Sequence, residues 1–447
     1  MMGRVRELGM ACFLAAGLTG SGGIPFSHAA PSPQGATALG ELAASMAPGM
    51  WAELTTTNLA NALSSADHGG GNASTIVGDA NNGAWDPASG QLHFIGSDHN
   101  WGVTATKWIR YTESNNAWTV MPDQPWYPFG TNHNFHNQSN MDPARGEFYF
   151  REYYTTGGGP KSGTWQRYSI GANTWTATPP LDAGGGTTGY HGSCAYFREM
   201  DGLVQWIQDW SADIGTVFLY KRTTNAWQRL GPASGFDTAG AAGLASATYN
   251  PVHKLVWLTG GNNRRNWKLT SDGAVTELPQ APVQLGYINR GTVTTVDPVS
   301  GDFLIFSGDG KFTSFNIQTG TYTLESDCTA PVQTCPSPAS PAAGTMWCVF
   351  ATPIANHGVT MFVKLDAFVP KVFLYRHAAG SGPSPPAPPP APPPTPPPGG
   401  SGPTPGSGGG DKSDGCGCGS IGAWPSAGGA WLGAALAAGL VLLRKRR

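Results

Sequence analysis

A motif that returns at intervals of about fifty residues limits this chain's fold more than any other feature. WIRYTESNNAWTVMP runs from Trp108 to Pro122, and its cousins WQRYSIGANTWTATPP, FLYKRTTNAWQRLGP, WKLTSDGAVTELPQ and FTSFNIQTGTYTLES begin at Trp165, Phe218, Trp267 and Phe312. Short alternating strands at such a period predict a β-propeller and exclude a helical solenoid.

A second unit lies between the cousins, a turn followed by an apolar-aromatic run: WDPASGQLHFIG, MDPARGEFYF, REMDGLVQW, YNPVHKLVWLTGG, VDPVSGDFLIFSGDG and TPIANHGVTMFV. Asp-Pro and Asn-Pro open tight turns, and a following Gly or Asn supplies positive φ. With Gly90, Gly146, Gly202, Lys254, Gly301 and Gly358 as rulers, the steps are 56, 56, 52, 47 and 57 residues, one four-stranded blade in each. Tyr and Trp recur seven residues apart at Tyr111 and Trp118, Tyr168 and Trp175, and Tyr220 and Trp227, with Phe315 and Tyr322 keeping the interval. Two aromatics so spaced across a hairpin share one sheet face. The sixth unit lacks an outer strand, whereas PGMWAELTTTN from Pro48 precedes the first hairpin as an orphan one. Pairing it beside KVFLYRH closes the ring and leaves no exposed edge. The expectation is an all-β, six-bladed propeller over residues 48–378, closed by an N-terminal strand.

On these aromatic intervals and the Gly pair at Gly260 and Gly261, loosened at Gly308 and Gly310, the chain resembles a divergent kelch or galactose-oxidase-type propeller from Gly49 to His377. The resemblance implies that blade-to-blade loops and second-to-third-strand loops share one face around the channel, where ligands bind.

Charged residues are only 12% of the chain and the net charge is −2, so no basic stripe argues for nucleic acid. Arg4 and Arg6 before an apolar run, with Ala29 and Ala30 after it, predict a signal peptide over residues 1–30. A Pro-rich and Gly-rich linker is expected over 379–414. Residues 415–447 then hold GCGCG, an apolar segment from Ala427 to Leu443, read as a short transmembrane helix, and the basic end Arg444 to Arg447. This order resembles the myxobacterial sorting tail MYXO-CTERM, which implies processing near Cys416 or Cys418 and display at a Gram-negative cell surface, with or without release. Before processing, the tail would touch the membrane. Cys328 and Cys335 are the expected disulfide, and Cys194 reads as a buried apolar residue.

Sorting polar residues by face places His99, His133, His136 and His191 together, beside Asp98, Trp101, Asn134, Tyr190, Trp210, Arg264 and Arg290. Three readings stay open. Trp, Asn, Asp, His and Arg around a bowl suit an extracellular glycan. A polysaccharide lyase acting by β-elimination would use His133, His136 or His191 as base, Tyr190 as acid, and Arg264 or Arg290 against the uronate. A surface protein docking on the same face is the third. His133 and His136 alone, three apart, do not define a metal site, and no cofactor is assigned.

Overall fold

The computed structural model describes residues 36–64, 76–77, 82–97, 106–125, 139–151, 155–156, 159–160, 165–181, 193–207, 216–232, 246–259, 264–283, 285, 292–307, 310–327, 329–332, 349–366 and 369–378. The signal segment, Cys328 and Cys335, the linker and the C-terminal tail lie outside them. Among the described residues no helix is long and apolar enough to cross a membrane.

Six antiparallel sheets of four strands form the fold. Their inner strands are Ala84–Asp86, Ser139–Asp142, Ser193–Phe197, Ser246–Asn250, Val293–Val296 and Val349–Ile354. Each contacts the next and the sixth contacts the first, so the sheets are the blades of a closed six-bladed β-propeller. A separate two-stranded hairpin, Thr155–Thr156 with Gly159–Pro160, falls in sequence between the second and third strands of blade 2.

The closing strand is the expected one. Trp51–Glu53 runs antiparallel to Val369–Tyr375, with Trp51 opposite Tyr375. Trp51 stacks on Tyr375 at 4.5 Å and meets Phe306, Phe312 and Phe362 within 5.9 Å. Two helices that the strand periodicity gave no sign of flank this seam: α1 (Ala38–Ser45) and α2 (Leu59–Leu63). Helix α2 contacts both Val369–Tyr375 of blade 6 and the outer strand Ala117–Val120 of blade 1. At its C-terminal end the buried Lys107 ammonium donates to the carbonyls of Asn61 and Ser64 at 2.9 and 2.7 Å, satisfying groups that a helix end leaves open.

The inner turns follow local chemistry. Asp86, Asp142, Asn250 and Asp297 each accept backbone N–H bonds from residues two or three further on, while the next proline presets φ. Blades 3 and 6 lack that pair and turn through the 3₁₀ segments Arg198–Met200 and Ala355–His357. In blade 3 the left-handed residue is Asp201 (φ 48°), not Gly202. Gly202 already belongs to the second strand, where a Cβ would lie 2.3 Å from the Tyr220 carbonyl oxygen. The Tyr and Trp seven apart are direct cross-strand partners at 111/118, 168/175 and 220/227. Each tyrosine also donates its hydroxyl to an asparagine five residues on: Tyr111 to Asn116, Tyr168 to Asn173 and Tyr220 to Asn225, at 2.9, 2.6 and 2.7 Å. All three asparagines are left-handed. The motif therefore carries a second periodic signal, Tyr-x4-Asn, that holds the outer hairpin.

Every seam between blades contains an aromatic pair. Trp108 meets Tyr168, Tyr149 meets Tyr196, Trp206 meets Trp267, Trp257 meets Phe303, Phe306 meets Phe362 and Phe94 meets Phe350, at centroid distances from 4.1 to 6.0 Å. At the seam between blades 2 and 3 charge joins the aromatics, the Arg222 guanidinium holding both oxygens of Glu147 at 3.0 and 3.1 Å.

His93 breaks the pattern between blades 1 and 2. It is fully buried between Trp108 and Phe148, and neither ring nitrogen has a hydrogen-bond partner among the described residues. Burial, reinforced by nearby Arg110, lowers its pKa from 6.5 to about 3. The folded protein therefore keeps His93 neutral, and the stability this confers is complete above pH 6.5 and lost as pH falls toward 3.

Two outcomes test this packing. Trp51→Ala is expected to cost about 3 kcal/mol in equilibrium urea unfolding, whereas Met50→Ala, at a residue 47% exposed, shifts stability by less than about 0.5 kcal/mol. His93→Phe is expected to leave the melting temperature at pH 7.5 unchanged or higher. It should also remove about 2–3 kcal/mol of the loss the native chain suffers between pH 6.5 and pH 4.5. An equal loss in both proteins would show that His93 is protonated in the fold.

Candidate functional site

Strand direction defines two sides. Inner strands run into the Asp-Pro turns, so those turns and the outer hairpin turns lie on one side, the turn side. The connections between second and third strands, and between blades, lie on the other, the loop side. Of the residues expected to form a site, Asp98, His99, Trp101, His133, Asn134, His136, Tyr190, His191, Trp210 and Arg290 lie outside the described residues. Arg264 is described: it is exposed, precedes the third strand Asn266–Leu269 of blade 4, and accepts the Ala281 N–H at its carbonyl. That puts it on the loop side, as expected.

The described concavity is the central channel from its middle to the turn-side mouth, with a volume of ≈ 570 Å³. All six inner strands contribute residues to its wall, and a belt of hydrogen bonds crosses the seams between them. Asn82 and Ser139 exchange side-chain-to-carbonyl bonds at 2.9 and 3.0 Å across the first seam. Asn140 Oδ1 accepts the Tyr196 N–H at 2.9 Å across the second, and Ser193 Oγ accepts the Ala247 N–H at 2.8 Å across the third. The Ser246 and Thr294 hydroxyls meet at 2.5 Å, Thr360 donates to the Val296 carbonyl at 3.3 Å, and the Gly83 N–H donates to the Ala351 carbonyl at 3.2 Å. Adjacent inner strands run side by side without a continuous ladder, so their inward backbone groups depend on these short side chains. Ser, Thr and Asn at the starts of inner strands were the sequence signal for the belt, and their scatter in register hid it.

The mouth differs from the throat. Pro87, Pro143, Pro251 and Pro353 from four blades stand around it with Trp85 and Tyr249. The Trp85 indole donates to Asn356 Oδ1 at 2.8 Å. Tyr249 donates its hydroxyl to Glu199 at 3.0 Å, and burial together with that carboxylate raises its pKa above the usual range. Arg198 and Lys254 complete the charged part of the lining. Beside the mouth, Arg145 bridges blades 2 and 3 by holding Asp142, Asp201 and the Tyr196 hydroxyl at 2.7, 2.6 and 2.9 Å. Among the described residues no group of three or more His, Cys, Asp or Glu side chains is arranged to hold a metal ion, and Cys194 is a buried free thiol.

No protein-family model matches the chain. No curated protein matches it either. Solved structures similar to it include a nidogen–laminin complex, at 10% identity and TM-score 0.36 over 56% of this chain and 79% of that one. A fungal alcohol oxidase of the AA5 family in complex with copper shows 12% identity and TM-score 0.38 over 66% of this chain and 73% of that one. TolB from Acinetobacter baumannii shows 12% identity and TM-score 0.31 over 52% of each chain. Likenesses this distant carry no ligand or reaction to this chain; the six blades rest on the strand order itself.

Asn140→Ala leaves the Tyr196 N–H without its acceptor at the channel wall. The expected cost is about 1–3 kcal/mol, read from equilibrium unfolding. No change would mean that the belt does not support the ring.

Proposed function

We propose that the protein is an exported propeller, held at a cell surface through its C-terminal segment, whose loop side recognises extracellular carbohydrate. The observation that carries this reading is where the described chain enters and leaves the ring. Helix α1 lies against the turn of blade 6, where Thr37 and His357 both bond Glu113 Oε1, at 2.6 and 2.7 Å. The chain leaves after Tyr375, whose strand partner Thr360 is two residues beyond that same turn. Arg376 ties the two ends together, donating to the carbonyls of Ala43 and His357 at 2.7 and 3.3 Å. Both chain ends are therefore on the turn side. A stalk attached there turns the loop side away from its anchor.

The loop side is where the sequence groups Asp98, His99, Trp101, Asn134, Trp210 and Arg290 around the exposed Arg264. An indole face stacks on the C–H face of a pyranose, while amides, carboxylates and guanidinium groups match its hydroxyls and any uronate carboxylate. The sequence assigns His133, His136, Tyr190 and His191 to the same side, so β-elimination on a uronate glycan is the reading to separate from plain binding.

The test incubates the purified chain with neutral and uronate-containing polysaccharides, measuring retention and the ultraviolet absorbance of unsaturated products. Retention without product is expected, weakened about fivefold by Trp101→Ala through loss of roughly 1 kcal/mol of stacking. Absorbance that grows and vanishes with Tyr190→Phe would make the protein a lyase. Absence of retention on every glycan would overturn the reading in favour of a surface-protein partner.

A further inference from the structure

The turn-side mouth carries two cations that the described fold leaves unpaired. Arg198 and Lys254 come from neighbouring blades and line the same opening. Both are exposed, and among the described residues neither side chain makes an ion pair; Glu199, next to Arg198, accepts the Tyr249 hydroxyl at 3.0 Å and adds one carboxylate to the same lining, leaving the cations in excess. Lys254 also holds an unusual backbone. It ends the inner turn of blade 4 at φ 53°, where four other blades have Gly90, Gly146, Gly301 and Gly358 at φ 63°, 60°, 79° and 62°. A side chain in that region strains the backbone. Asp201, the other exception, is compensated by bonds from Arg145 and the Tyr196 hydroxyl at 2.6 and 3.0 Å. Lys254 has no comparable return within the described fold.

We propose that this mouth is a binding site for an organic carboxylate with a flat, apolar body, distinct from the loop-side site and independent of it. The cavity has the volume of a small-molecule site. The four prolines, Trp85 and Tyr249 supply C–H and aromatic walls for the body of such a ligand. Arg198 and Lys254 supply the positive charge for its carboxylate, with the planar guanidinium suited to a two-oxygen contact. The Ser246, Thr294 and Thr352 side chains deeper in the channel keep its floor polar, so the apolar body belongs at the rim.

Isothermal titration of the purified full chain with naphthalene carboxylate, and with the neutral naphthalene carboxamide, tests the proposal. The acid is expected to bind at least about tenfold more tightly than the amide. Arg198→Ala and Lys254→Gly should each weaken the acid and leave the amide unchanged. Lys254→Gly should at the same time raise the melting temperature, because glycine takes the left-handed conformation without strain. Ala355→Trp, at an exposed rim position, should block the acid with both cations intact. Equal affinity for acid and amide, binding that survives Ala355→Trp, or a lower melting temperature for Lys254→Gly would each overturn it. Glycan retention measured on the same variants reports the loop-side reading separately and should not change.

Discussion

A ring of sheets is stable only if its last blade is completed by the other end of the chain, and here that depends on three residues, Trp51–Glu53. Without them Val369–Tyr375 would present an open edge. The strand is too short for backbone bonds alone to hold it. Trp51 supplies the rest by entering an aromatic cluster drawn from blades 5 and 6. Arg376, α1 and α2 then secure the seam from both flanks. The same contacts fix the entry and exit of the described chain on the turn side, so the closure that stabilises the ring also sets the side on which both lie.

Around the rest of the ring two concentric systems do different jobs. Aromatic pairs fill the seams with non-directional burial, which sets how closely blades approach. The belt of Asn, Ser and Thr bonds around the channel is directional and sets register between neighbouring inner strands. A channel of defined width needs both, and the belt places polar groups on its wall. Three of the four prolines at the mouth, Pro87, Pro143 and Pro251, follow from another local requirement, a fixed φ after the Asp or Asn of the turn, while Pro353 lies within the inner strand of blade 6.

Two residues depart from these local rules in informative ways. His93 occupies a site between aromatic rings that offers its nitrogens nothing, so the ring is tolerated only in its neutral form. Lys254 stands where four other blades have glycine, and it is an exposed residue of the channel lining. The first makes stability acid-sensitive; the second places a side chain in a backbone conformation that favours glycine.

Blade number, turn positions, the Tyr and Trp partnerships and the closing role of Trp51 were all legible in the sequence. Each is a periodic or local signal, carried by Asp-Pro and Asn-Pro turns and by residues a fixed distance apart across one hairpin. The burial of Cys194 was legible for the same reason. The belt, the inter-blade pairing of Trp206 with Trp267 or Phe94 with Phe350, the isolation of His93 and the meeting of Arg198 with Lys254 were not. These join residues some fifty positions apart or more, from blades whose lengths vary, so no fixed spacing marks them. Only closure of the ring brings them together, because it converts six separate hairpins into one axis with two distinct ends.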